Sequence, residues 1–379
     1  MINLFQPQLG NEELSEISKV FNSNWIGKGQ KVSEFEDKFA KSLKSSSKKF
    51  ISTTSCTEGI FLSADIFNFC PKDEIIIPTI SFPSIGSAVL DSGAKLVFCD
   101  VDKHSLNVTV NHIKPHINNR TKALFLTHYG GIPCDMDPLV SLCKKHNIYI
   151  IEDSACSVQS FYKAKACGTI GDMGIWSFDA MKTLSTGDGG MIYLKNLDFI
   201  NTAKERLYLG LPNKSKSGLD SSKEENTHWW EYSMNRTGRR AIMNDITASI
   251  GLSQLIKVNS FISIRERIFM HYMENLNGVG DIRVPPMPEF DFKSSYYFFW
   301  IQTKYRDNLA TYLLERGIYT TFRYWPLHKV DLFNSFSTDD YPESEFASSF
   351  TLNLPLHQSL SDDDADKVIA AIKEFYEKL

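Results

Sequence analysis

What the chain lacks narrows it first. Its seven cysteines, Cys56, Cys70, Cys99, Cys134, Cys143, Cys156 and Cys167, are odd in number and irregularly spaced, and no CxxC pair occurs. That pattern supports neither a disulfide framework nor a metal site, and a reduced, cytoplasmic compartment is the expectation. No apolar run approaches the roughly 18 residues that a bilayer span requires, so no membrane insertion is expected. The opening stretch "MINLFQPQLGNEELSE" has no basic region leading into an apolar one, and no secretion signal is expected. Lys and Arg total 41 against 45 Asp and Glu, a formal charge of −4. Without a basic excess, general nucleic-acid binding is not expected, and the one basic run, "KSLKSSSKK" at residues 41–49, reads as a solvated helix end. Internal repeats and low-complexity tracts are also missing.

What is present is an ordinary globular composition, 42% hydrophobic and 23% charged over 379 residues. That length suits one large domain and a smaller one. Residues 11–45 read as helical, with Phe35, Phe39 and Leu43 on one face. From about residue 50 the pattern alternates. Strand-like runs ("EIIIP", "KLVFCDV", "KALFLTH", "IYIIED") are separated by helix-like ones ("GIFLSADIF", "SIGSAVLDS", "DPLVSLCKKH"). Such alternation predicts βαβ units, a mostly parallel sheet and helices on both faces. Residues 211–230, polar and rich in Ser and Lys, read as a long loop or lid. "MNDITASIGLSQLIKV" reads as an amphipathic helix capped by Asn244 or Asp245, with Ile246, Ile250 and Leu255 on its apolar side. The chain divides into a large domain over 1–250 and a smaller α+β domain over 251–379, with a strand in "YYFFWIQT" and helices in "NLATYLLERG" and "DDDADKVIAAIKEFYEKL".

In open α/β sheets, ligands bind outside the carboxyl ends of the strands, and four features gather there. In "GIWSFDAMKTLSTGDGG" an apolar strand runs into Lys182 and then Gly187, Gly189 and Gly190. A desolvated lysine amine condenses with aldehydes, and the glycines let backbone approach a ligand; a solvated surface lysine is the plain alternative. Asp153 ends the strand in "IEDSA", where a carboxylate needs a cationic partner such as a protonated pyridine nitrogen, or else caps a helix. Ser55, Cys56 and Thr57 open a helix whose free N–H groups can bind phosphate or simply be capped. Ser177 offers a second hydroxyl to the same phosphate. Phe82, in "TISFPS", can stack on a flat heteroaromatic ring or belong to the core. The order of phosphate loop, aromatic, strand-end Asp and Lys raises the joint reading above any single one.

With these motifs, and with "NWIGKGQKVSEFEDKFA", "FCDVD", "THYGGIPCDMDPL", "YWPLH" and "LNLPLHQSLSDDD", the chain resembles the DegT/DnrJ/EryC1/StrS sugar aminotransferases over nearly its whole length. These are a branch of the fold-type-I enzymes of pyridoxal 5′-phosphate (PLP), like aspartate aminotransferase. The resemblance implies an α/β fold with a seven-stranded, mostly parallel sheet and a smaller C-terminal α+β domain. It implies that Lys182 carries the cofactor covalently and serves catalysis with Asp153, which pairs with the pyridine nitrogen. Phe82 stacks on the ring, and Ser55, Cys56, Thr57 and Ser177 hold the phosphate. It further implies a homodimer whose active sites lie at the subunit interface. Cys156 stands where the family usually places Gln near the cofactor's phenolic oxygen. Arg240 stands where an Asn usually reaches toward the other subunit's cofactor phosphate or substrate. Trp25, Tyr324 and His328 become candidate substrate contacts. His128 and His357 are read as structural.

The resemblance implies amino transfer from glutamate to a keto-sugar: the sugar is expected to be nucleotide-linked, and the product an amino sugar for lipopolysaccharide or O-antigen. A related branch carries His in place of the lysine and dehydrates its sugar; Lys182 argues against it. Dehydration or deoxygenation of the same substrates, and a cofactor-binding regulator of the same fold, are the alternatives.

Overall fold

The computed structural model describes residues 1–212, 230, 234–337 and 339–379. The loop or lid expected over 211–230 lies, apart from 211, 212 and 230, outside the described residues. Among the described residues the helices are α1 (Asn11–Asn22), α2 (Gln30–Ser42), α3 (Cys56–Ile66), α4 (Pro83–Asp91), α5 (Val110–Ile113), α6 (Met136–His146), α7 (Asp198–Leu207), α8 (Asp245–Leu276), α9 (Arg306–Glu315), α10 (Asp331–Asn334), α11 (Pro342–Phe350) and α12 (Asp362–Glu377). None of them is long and apolar enough to cross a membrane.

Seven strands form the main sheet: β1 (Phe50–Thr53), β2 (Glu74–Pro78), β3 (Lys95–Cys99), β4 (Thr121–Thr127), β5 (Tyr149–Asp153), β8 (Met173–Ser177) and β9 (Gly190–Leu194), with the short β6 (Phe161–Tyr162) and β7 (Lys165–Ala166) in a side ribbon. The order is β1-β9-β8-β5-β4-β2-β3. Only β9 runs against the rest. The fold is therefore the α/β, mostly parallel arrangement that the sequence pattern predicts. Both faces are covered, so the strands are apolar throughout, yet the period of two still sorts them. Phe125 faces the core under α3 and α4, while Leu124 and Leu126 face the core shared with α6 and the smaller unit. That smaller unit is built on the antiparallel pair β11 (Phe299–Gln302) and β12 (Thr351–Leu354), after the short β10 (Phe292–Lys293).

Three local expectations change. The helical reading of 11–45 resolves into two helices, because Asn24 turns with φ 57° and the Asp245 carboxylate caps α2, accepting from Gly29 and Val32 N–H at 2.8 and 3.0 Å. In α8, Asn244 is the cap, accepting from Thr247 N–H at 3.0 Å. Its apolar side is not the expected one: Ile246, Ile250 and Leu255 are only half-buried, and Ala248, Ser249, Gly251 and Leu252 face inward. Small residues win there because α2 comes close; a Cβ on Gly251 would sit 2.8 Å from the Phe35 ring. Finally, the strand expected over 296–303 begins only at Phe299, since Tyr296 takes a left-handed φ of 48°.

Candidate active site

The carboxyl ends of β1, β2, β5 and β8 open on one cavity of about 320 Å³, at the small end of ligand-site volumes. Ser55, Cys56, Thr57, Phe82, Asp153, Ser177, Lys182 and Tyr324 line it together, so eight of the residues singled out in the sequence converge.

Each is placed by its element. Ser55 caps α3, accepting from Glu58 N–H at 3.2 Å, which leaves the N–H groups of Cys56 and Thr57 at a helix start without partners inside the helix. The approach stays open because β9 begins with glycine; a Cβ on Gly190 would lie 2.7 Å from the Cys56 nitrogen. Ser177 ends β8, its hydroxyl accepting from Asp179 N–H at 3.4 Å. Phe82 precedes α4 and is 46% exposed, with its ring edge-on to Tyr324 at 5.6 Å. An aromatic face so open in a cleft is available for stacking.

Asp153 is buried at the end of β5, where it accepts from Ala155 N–H at 3.0 Å with the Thr127 hydroxyl beside it. Burial raises its pKa above the ordinary carboxylate value, against the pull of the Ala155 N–H and the Lys182 ammonium. The Lys182 Nζ lies 3.8 Å from the Cys156 sulfur and 4.7 Å from the centre of the Tyr297 ring. Burial opposes its charge, but Cys156, Tyr297, Tyr324 and Asp153 outweigh burial and hold the ammonium well above the usual lysine range. Cys156 does not line the cavity wall but touches Lys182 and, at 3.8 Å, the Tyr324 hydroxyl; burial pushes its thiol up.

The other three singled-out residues lie elsewhere in the subunit. Trp25 is exposed, its indole N–H donating to the Lys28 carbonyl at 3.0 Å. Arg240 is exposed over the Tyr208 ring at 5.2 Å. His328 is buried against Phe98 and Tyr341, with Nε2 2.9 Å from Glu345, and reaching a substrate would require breaking that pair.

The cavity also holds groups that the sequence did not suggest: Tyr297, Arg323, Asp179 and Asp188. Arg323 and Tyr324 arrive from the smaller unit on a backbone gripped by Asn353, which accepts from Arg323 N–H at 2.7 Å, and by the Tyr129 hydroxyl, which donates to the Arg323 carbonyl. Nothing in "TTFRYWPLH" marks Arg323 for the cleft; that depends on a contact with β12, a distant strand.

A match to the DegT/DnrJ/EryC1/StrS aminotransferase family runs over residues 7–373. The chain belongs to that family. It is 43% identical to the dTDP-4-dehydro-2,3,6-trideoxy-D-glucose 4-aminotransferase of Saccharopolyspora spinosa, over 96% of this chain and 93% of that one. It is 30% identical to the GDP-perosamine synthase of Escherichia coli O157:H7, over 99% and 98% of the two chains. Among solved structures, the aminotransferase TlmJ from Streptoalloteichus hindustanus superimposes with a TM-score of 0.92 at 40% identity, covering 100% of this chain and 99% of that one. The protein is a sugar aminotransferase and its cofactor is PLP. The cavity fits that group: a buried carboxylate short of donors, an amine, open helix-start N–H groups with a hydroxyl nearby, and an exposed aromatic face.

Proposed function

We propose that this aminotransferase moves the amino group of glutamate onto a nucleotide-linked keto-sugar, and that Lys182 and Asp153 carry the chemistry. The observation that supports it most is the convergence of Lys182, Asp153, Phe82 and the start of α3 on one cavity. The printed activities of the Saccharopolyspora and Escherichia relatives support a dTDP- or GDP-linked sugar. An amino-sugar product would then enter a surface polysaccharide such as O-antigen, made in the cytoplasm.

When bound, PLP supplies an electrophilic carbon and an electron sink. Lys182 Nζ would hold it covalently. Ser55, Cys56, Thr57 and Ser177 would take its phosphate, Phe82 would lie on its ring, and Cys156 would stand near its phenolic oxygen. Asp153 Oδ, short of donors and desolvated, would accept the pyridine N–H and keep that proton in place. When not holding the cofactor, Lys182 Nζ would take the proton from the donor's Cα and would deliver one to the sugar carbon that receives nitrogen. Tyr324 would contact the substrate beside it.

The site would be shared in a homodimer. Trp25 and Arg240 are exposed and lie outside their own subunit's cavity, as residues serving a neighbour would. An Arg240–phosphate contact across the interface is charge-assisted; losing it should weaken binding by roughly one to two decades. The test supplies glutamate and dTDP- or GDP-linked 4-keto-sugars to the purified holoenzyme and measures 2-oxoglutarate and amino sugar. Failure with every nucleotide-linked ketone, alongside turnover of a free sugar, overturns the nucleotide. Mixing Lys182→Ala with Arg240→Ala subunits should restore activity in one site of each mixed dimer; no recovery despite subunit exchange overturns the shared site.

A further inference from the structure

We propose that Arg265 sets the acidity of the Lys182 amine through the Tyr297 ring, acting as a fixed positive charge behind the cavity wall. The proposal rests on the reading of Lys182 given above. Arg265 lies in α8 and is completely buried. Among the described residues no carboxylate meets it. Its guanidinium donates to Gln358 Oε1 at 3.0 and 2.8 Å, to the Leu356 carbonyl at 2.9 Å, and to the Tyr296 and Tyr297 carbonyls at 3.4 Å. Every partner is neutral, so the charge is solvated by the protein but not cancelled.

A buried cation without an anion is expensive to keep. If Arg265 only tied α8 to residues 296–297 and 356–358, a neutral group could do much of that. What distinguishes its place is the Tyr297 ring, whose centre lies 5.6 Å from the guanidinium carbon and 4.7 Å from Lys182 Nζ. Two cations thus share one ring in a desolvated region, where like charges repel far more than in water. The acidic groups facing Lys182 are Cys156, Tyr297, Tyr324 and Asp153, with Asp179 and Asp188 farther along the same cavity and Arg323 as its other cation. They favour a charged amine. Arg265 opposes them from outside the cavity, where no substrate can displace or neutralise it, and so favours the uncharged amine that captures and releases a carbonyl carbon.

Gln358 offers the decisive variant. Its Oε1 takes two Arg265 N–H groups, while its buried Nε2 meets no hydrogen-bond partner among the described residues. Gln358→Glu therefore keeps both bonds, removes an unmet donor and cancels the charge in place. The readout is the pH midpoint of the holoenzyme's visible absorption band, with thermal unfolding measured alongside. Gln358→Glu should fold at least as stably as wild type and raise the midpoint by roughly one pH unit. Arg265→Met should raise it similarly but lose stability. Gln358→Met, which removes bonds and leaves the charge, should lose stability with the midpoint unmoved. A midpoint that stays put in Gln358→Glu overturns the proposal and leaves Arg265 a staple, whether or not Arg265→Met folds. A wild-type holoenzyme with no visible band overturns both this proposal and the reading of Lys182.

Discussion

Glu152 and Asp153 are consecutive carboxylates at the end of β5, both buried, and the protein treats them oppositely. Glu152 is saturated. It accepts from Gly168, Ile170 and Gly171 N–H at 2.7, 2.7 and 2.6 Å, and from His128 Nε2 at 2.9 Å. His128 is fixed for this purpose, because its Nδ1 accepts from Cys134 N–H at 3.1 Å, which leaves the proton on Nε2. Asp153 has one N–H, from Ala155, and the buried Thr127 hydroxyl of the neighbouring strand is the other donor beside it. The alternation of a strand sends the two side chains to opposite faces. One face meets a loop folded to satisfy a carboxylate, and the other opens on the cavity. A buried charge that the fold satisfies is architecture. One that it leaves short of donors is waiting for a ligand.

The comparison is sharpened most by Lys182→Ala, which removes the other reactive group on the unsatisfied side. Turnover should fall by roughly 10⁴- to 10⁶-fold, with the protein still folded and no longer reducible by borohydride at this position. An active variant would show that the cavity's chemistry lies elsewhere. Asp153→Asn should follow, with a loss of roughly 10²- to 10³-fold in kcat and an unchanged circular dichroism spectrum. Wild-type rates there would mean that another group serves the ring nitrogen.

Glu152→Gln is the reverse experiment. An amide oxygen cannot satisfy three N–H groups and a histidine as a carboxylate does, and its NH₂ would face donors. Unfolding free energy should drop by roughly 2–3 kcal/mol, read by denaturant titration, while kcat per folded molecule stays near wild type. If stability holds and catalysis collapses instead, the assignment of the two carboxylates is inverted.

The sequence showed this pair only in part. "IYIIED" marks a buried strand ending in two acids, and the rule of carboxyl ends points to the second. Nothing local says that Glu152 is met by Gly168–Gly171, since those donors come from a loop that returns only in three dimensions. The β2 strand was legible to the residue, and the start of α3 with its cap was too, because both are set by neighbours in sequence. Tyr297 was not: it sits in a run of aromatics that reads as strand, and the left-handed turn at Tyr296 that frees it carries no glycine to announce it. Arg265 was hidden for a related reason. It lies in a helix whose inward face is decided by α1, α2 and α12, not by its own pattern.

The smallest expected effect concerns the apoprotein and has a definite sign. Burial raises the Asp153 pKa above its ordinary 3.8, so the folded protein binds this proton more tightly than the unfolded chain does. The stability linked to the group is fully present below the unfolded pKa and is lost as pH rises through the folded one. Asp153→Asn cannot titrate. Wild type and variant should therefore be similarly stable at the acid end of the range, and the variant should become the more stable of the two toward neutral pH. Denaturant midpoints of the two apoproteins across this range test the point. A wild type that gains on Asp153→Asn as pH rises would mean that the cofactor-free fold satisfies the Asp153 carboxylate after all, and the contrast between the two neighbours would fail.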